Sequence, residues 1–125
     1  MNDRGLVELV LVQVRECVEA DSYVVLSREK NSDFISEYAL TKQRQKGILL
    51  AMTVDDYCGS EASRNYSGRY VHTFCPNVPL LAVDGHSETV DVYVKLEVES
   101  YDGGKQTVVI SFHKPEHPME YAFRQ

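Results

Sequence analysis

The strongest pattern of apolar and polar positions lies between Thr89 and Phe123, TVDVYVKLEVESYDGGKQTVVISFHKPEHPMEYAF. Val90, Val92, Val94, Leu96 and Val98 alternate with Asp91, Tyr93, Lys95, Glu97 and Glu99. That period of two predicts a half-buried strand. Asp102-Gly103-Gly104 predicts a turn, and Thr107 to His113 the return strand of a hairpin. Two registers compete. A two-residue Gly103-Gly104 loop would set Val94 opposite His113 and Leu96 opposite Ser111, mixing apolar and polar groups on both faces. A three-residue loop from Asp102 to Gly104 sets Val94 against Phe112, Leu96 against Ile110 and Val98 against Val108. Only the second gives a clean apolar face, and the buried face selects register. Gly104 would supply the left-handed residue that such a loop needs. The opposite face then pairs Tyr93 with His113 and Lys95 with Ser111. A phenol, an imidazole and an ammonium share one surface there, although most such faces are only solvated.

Upstream, the pattern is less uniform. Leu6, Leu9, Val10, Cys17 and Val18 fit a helical stripe with Val14 at its edge, yet the valines suit a strand equally. Tyr23 to Leu26 predicts a short strand, with Arg28-Glu29-Lys30 as its polar exit. Asn31-Ser32-Asp33 predicts a helix start, followed by a short helix from Asp33 to Ala39 that buries Phe34, Ile35 and Tyr38. Thr41 can cap a second helix carrying Ile48, Leu49 and Met52 inward, with Gly47 costing roughly 1 kcal/mol against alanine. Thr53 to Asp56 has capping-box spacing. Cys58 to Gly68 predicts a surface loop, Arg69 to Cys75 a strand, and Asp84-Gly85 a turn. Pro115 and Pro118 predict an extended tail that packs through Met119, Tyr121 and Phe123. Helices first and sheet second give an α+β fold in a single domain spanning 1–125.

Three cysteines, Cys17, Cys58 and Cys75, without CxxC spacing predict free thiols rather than a disulfide framework. No apolar run reaches membrane-spanning length, and Glu8 interrupts the first apolar stretch, which argues against a signal peptide. The expectation is a bacterial-type cytoplasmic protein with no membrane partner. Nineteen acids against thirteen bases give a net charge of −6, which excludes broad, charge-driven binding to nucleic acid. A local basic site remains open, because Arg64, Arg69, Lys95, Lys105 and Lys114 all lie in the strand-rich half.

Candidate chemistry narrows quickly. His113 and His117 are separated by Pro115, which denies them the shared helical face of a zinc pair, so no metal and no cofactor is expected. No phosphate-cradling glycine motif occurs, and nothing in the sequence sets a base beside a cysteine. What remains is Arg69, His72, Tyr93, Lys95 and His113, with Arg64 nearby. Metal-free cleavage of RNA uses such groups: a base for the ribose 2′-hydroxyl, an acid for the leaving 5′-oxygen, and cations for the charge on phosphorus. Imidazole suits both proton transfers near neutrality.

The segments SREKNSDFISEYALT, ILLAMTVDDYCG, VDVYVKLEV and VVISFHKPEHPMEYAF, in that order between Tyr23 and Phe123, resemble the motility quorum-sensing regulator (MqsR) family of toxin endoribonucleases. The ISFH…PMEYAF ending is closer to a distinct branch of that family than to its founding members. The resemblance implies helices packed on one face of a small antiparallel sheet, as in RelE-type toxins, and settles the first segment as a helix. It implies an mRNA-cleaving toxin acting on single-stranded RNA and restrained by a cognate antitoxin protein, and leaves a homodimer open. Carried over by position, the family's catalytic tyrosine falls on Tyr93 and its late-strand lysine on His113. A strand glutamine falls near His72, and a further family lysine falls near Gly59, where the charge is missing. The expected set is therefore His113, Tyr93 and His72 for catalysis, with Lys95, Arg69 and Arg64 for substrate. The alternative is a catalytically inactive RNA- or protein-binding regulatory module on the same fold.

Overall fold

The computed structural model describes residues 3–64 and 66–124. Three helices pack against a mixed five-stranded sheet, and a two-stranded sheet stands beside it. The first helix, α1 (Arg4–Glu19), begins where the Asp3 carboxylate accepts the amides of Gly5 and Leu6. It buries Val7, Leu11, Val14, Cys17 and Val18, while Leu6 and Leu9 of the expected stripe lie in solvent. The segment holds more apolar residues than one face can bury, so pattern alone misjudged the phase. It ends with the amide of Ser22 bonded to Cys17 O and that of Asp21 to Val18 O, with Asp21 left-handed at φ 57°.

That turn delivers β1 (Tyr23–Val25), which runs parallel to the last strand of the sheet. The sheet is therefore mixed, correcting the expectation of an antiparallel one. A parallel pair needs a long crossover, and the whole intervening chain provides it, which no local pattern could signal. The second helix, α2 (Glu29–Glu37), starts four residues earlier than expected, and Arg28 in the N-cap position makes no side-chain cap. Asn31 lies inside this helix and is buried. α3 (Lys42–Ala51) forms as expected, with Thr41 Oγ1 accepting Arg44 N and with Ile48, Leu49 and Met52 in the core. The Thr53–Asp56 capping box closes a single 3-10 turn.

The remaining strands are β2 (Tyr57–Ala62), β3 (Tyr70–Phe74), β4 (Asn77–Leu81), β5 (Ser87–Asp91), β6 (Tyr93–Tyr101) and β7 (Gly104–His113). The main sheet has the order β1-β7-β6-β3-β2, and β4 pairs only with β5. Two expectations change here. Most of the first half of the predicted 58–68 loop is β2, an edge strand whose small polar residues make backbone bonds without burying much side chain. The strand expected without interruption from Val90 is divided at Val92, whose amide turns aside to Pro76 O. Alternation persists across that break, since Val90, Val92, Val94 and Leu96 are all buried. Period two reports which side faces the core, not which strand lies alongside.

The β6–β7 hairpin keeps the expected pairs Tyr93 with His113, Val94 with Phe112 and Lys95 with Ser111. Beyond a bulge between Lys95 and Leu96 the register shifts, so Leu96 faces Val109 and Val98 faces Thr107. The loop is the two residues Asp102-Gly103, and Gly103 rather than Gly104 takes the positive φ of 97°. Val109 and Phe112 enter the core, whereas Val108 and Ile110 are half-buried. Three consecutive apolar residues, Val108 to Ile110, carry no parity, and the bulge reconciles the turn with the buried face. Among the described residues no helix is long and apolar enough to cross a membrane.

Candidate active site

The face of the sheet turned away from Val94 and Phe112 carries Tyr93, Lys95, Thr73, Ser111 and His113, as the cross-strand pairs require. These side chains floor an open cleft of about 800 Å³. Arg28, Glu29 and Lys30 at the start of α2 form one rim, and Gly59 to Glu61 of β2 form another. The tail supplies a third: after β7 it crosses as a strap whose Glu116, His117 and Met119 line the cleft. The strap is anchored at both ends. Lys114 Nζ lies 3.0 Å from Glu37, Tyr121 donates its hydroxyl to Cys75 O, and Ala122 N bonds to Tyr57 O. Phe123 stacks on Tyr57 at 5.8 Å.

The Tyr93 and His113 rings stack with centroids 5.5 Å apart and an interplanar angle of 27°. His113 Nδ1 is 2.8 Å from Lys114 O. A carbonyl only accepts, so Nδ1 carries the hydrogen and the neutral ring keeps its lone pair on Nε2. His117 repeats the arrangement, with Nδ1 3.2 Å from Pro118 O. Lys95 Nζ pairs with Glu61 at 3.0 Å, and Lys30 pairs with Glu116. Arg28 therefore remains the lining cation without an ion pair among the described residues. The Cys58 thiol also lines the cleft, but burial pushes it up to about 12, with nearby Cys75 adding to the shift. It is a poor thiolate donor at neutral pH. Among the described residues no group of three or more His, Cys, Asp or Glu side chains could hold a metal ion.

Of the six residues selected from sequence, Tyr93, His113 and Lys95 come together. His72 does not. It pairs with Leu96 and Ser60, on the core side of the sheet, and is 8 % exposed. Its Nδ1 lies 2.7 Å from Ser60 Oγ, itself 2.6 Å from the Tyr57 hydroxyl, and burial lowers its pKa. This is a chain of satisfied polar tips over a core. Arg69 stacks on Tyr66 at 4.3 Å and points its guanidinium at Glu99 (3.5 Å) and Glu97 (3.9 Å), outside the cleft. Arg64 is exposed and does not line the cleft. Along β3, positions 72 and 74 face the side of Leu96 and Val94, whereas Thr73 faces the side of Lys95, so His72 cannot join Tyr93 and His113.

The residues missed were Arg28, Lys30, Glu61, Glu116 and His117. By sequence pattern, His117 enters only as a possible metal ligand. The signal was its position between two prolines, which hold the backbone extended. No protein-family model, curated protein or solved structure matches the chain.

Proposed function

We propose that this protein is a metal-independent endoribonuclease, an mRNA interferase acting as the toxin of a type II toxin–antitoxin pair on a fold of the RelE and MqsR kind. One observation carries the reading: the stacked Tyr93–His113 pair floors an open cleft beside Lys95. The family resemblance supports it, since it assigns catalytic positions to the same two residues. His113 Nε2, free to accept, takes the proton of a ribose 2′-hydroxyl. Lys95 and Arg28 offset the charge that grows on the phosphoryl oxygens. Tyr93 holds the imidazole plane, and stacking of unstacked bases on such aromatic rings is the usual mode of single-stranded RNA recognition.

A second reading is favoured by specific features. Gly59 lines the cleft where the family resemblance expects a lysine, and carboxylates already engage Lys30 and Lys95. On that reading the chain binds RNA or protein without cleaving it. The test is incubation of purified protein with single-stranded RNA in excess chelator. The parent should cleave, and His113→Gln should lower the rate by about 10²–10⁴-fold while remaining folded. A parent that binds RNA without cutting it would replace the first reading by the second.

A further inference from the structure

The cleft holds a second imidazole that the reading above leaves without work. RNA cleavage by the 2′-hydroxyl is an in-line displacement, with the entering 2′-oxygen and the leaving 5′-oxygen on opposite sides of phosphorus. Two proton transfers are needed, and they must arrive from opposite directions. His113 and Tyr93 are neighbours on the sheet and approach from one side only. His117 comes from the strap, four residues on and past Pro115, yet it lines the same cleft. Its backbone is restrained because Pro118 follows it, and its neighbour Glu116 is paired to Lys30 across the rim. Its Nδ1 is committed to Pro118 O, which leaves Nε2 as the exchanging nitrogen.

We propose that His117 is the general acid of this site, paired with His113 as the base; the assignment rests on the endoribonuclease reading. His113 Nε2 accepts the 2′-hydroxyl proton, and the 2′-oxygen forms its bond to phosphorus as the P–O5′ bond breaks. The leaving O5′ takes the proton held on Nε2 of the His117 imidazolium. The products are a 2′,3′-cyclic phosphate and a 5′-hydroxyl. His113 ends protonated and His117 neutral, and exchange with water restores both. The charged groups lining the cleft with the two rings are Arg28, Glu29 and Lys30 at the start of α2, Glu61 from β2, Lys95 from β6 and Glu116 from the strap.

A leaving group that needs no proton separates the roles. An oligoribonucleotide carrying sulfur in place of the bridging 5′-oxygen, at the bond the parent cuts, expels a thiolate without acid assistance. His117→Gln should cleave ordinary RNA about 10²–10⁴-fold more slowly than the parent and lose the basic limb of its pH–rate profile. On the sulfur-bridged strand it should match the parent within a few-fold, whereas His113→Gln should remain slow on both. The assignment is overturned if His117→Gln cleaves RNA at the parent rate, is equally slow on both strands, or if His113→Gln is the variant rescued. A parent inactive on both strands removes the endoribonuclease reading itself, and the two failures are therefore distinct.

Discussion

Asn31 is 1 % exposed, and its side chain makes three bonds to backbone. Nδ2 donates to Leu26 O at 2.9 Å and to Ile110 O at 3.1 Å, while Oδ1 accepts from Phe112 N at 2.8 Å. β1 ends at Val25, but β7 continues to His113, so part of its edge would be left unpaired at the bulge. One amide side chain supplies the missing donor and acceptor and holds the segment that presents Ser111 and His113. An orphaned buried group costs about 1–3 kcal/mol. Asn31→Ala should therefore destabilise the protein by about 2–4 kcal/mol in urea unfolding, within the range of large single-site effects. Asn31→Asp keeps only the acceptor and should lose stability too. A value for Asn31→Ala within about 0.5 kcal/mol of the parent, the usual range for surface sites, would show that water serves these groups equally well.

Among the elements, the β4–β5 hairpin has the most pH-dependent surroundings. His86 sits between Asp84, bonded to its Nδ1, and Glu88, 2.9 Å from its Nε2. Its pKa is raised from 6.5, chiefly by Asp84 and then by Glu88. Glu88 is lowered from 4.5, first by the Tyr38 hydroxyl and then by His86. The signs define a window. The imidazole contribution is complete below 6.5 and fades as pH rises through the higher folded value; the Glu88 contribution is complete above 4.5 and fades as pH falls through the lower folded value. The hairpin should hold most firmly between those limits. Exchange of the Ala82 amide, which bonds to His86 O, should be slowest there after correction for intrinsic rates. An NMR titration should place His86 above 6.5, and Asp84→Asn should bring it back down. An unchanged value in that variant would assign the shift elsewhere.

At the scale of the whole molecule, net charge and cleft design point the same way. With a formal charge of −6, the protein has no general attraction for RNA, and Lys30 and Lys95 are already matched by Glu116 and Glu61. On the proposed function, substrate phosphates would have to displace those carboxylates, so binding should be selective and salt-sensitive. The same open cleft is where an antitoxin would act most directly, by covering His113, His117 and Arg28. Co-expression with the product of the adjacent reading frame should yield a stable complex and relieve growth arrest. If no complex forms and arrest persists, the toxin–antitoxin reading loses its biological support.

What the sequence by itself determined was local and periodic. Alternation along Val90 to Val98 assigned the buried side, Asp102-Gly103-Gly104 marked the turn although the loop is two residues rather than the expected three, and the capping chemistry of Thr41 and Thr53 placed two helical starts. The Tyr93–His113 and Lys95–Ser111 pairings were legible because a buried face leaves little freedom of register near it. The tertiary structure decided everything that depends on residues far apart in the chain. Asparagine reads as a cap because its short-range preference is for helix ends, yet Asn31 serves a strand about eighty positions away. The parity of Val108 to Ile110 was settled by the bulge, and the parallel placement of β1 by the edge that β7 leaves open. Likewise, His72 and His117 are equally plausible as letters. Only the sheet's two faces and the strap's path show that the first is sealed against the core and the second meets the cleft. Periodicity records the environment of each side chain, whereas a site is made by which distant segments share that environment.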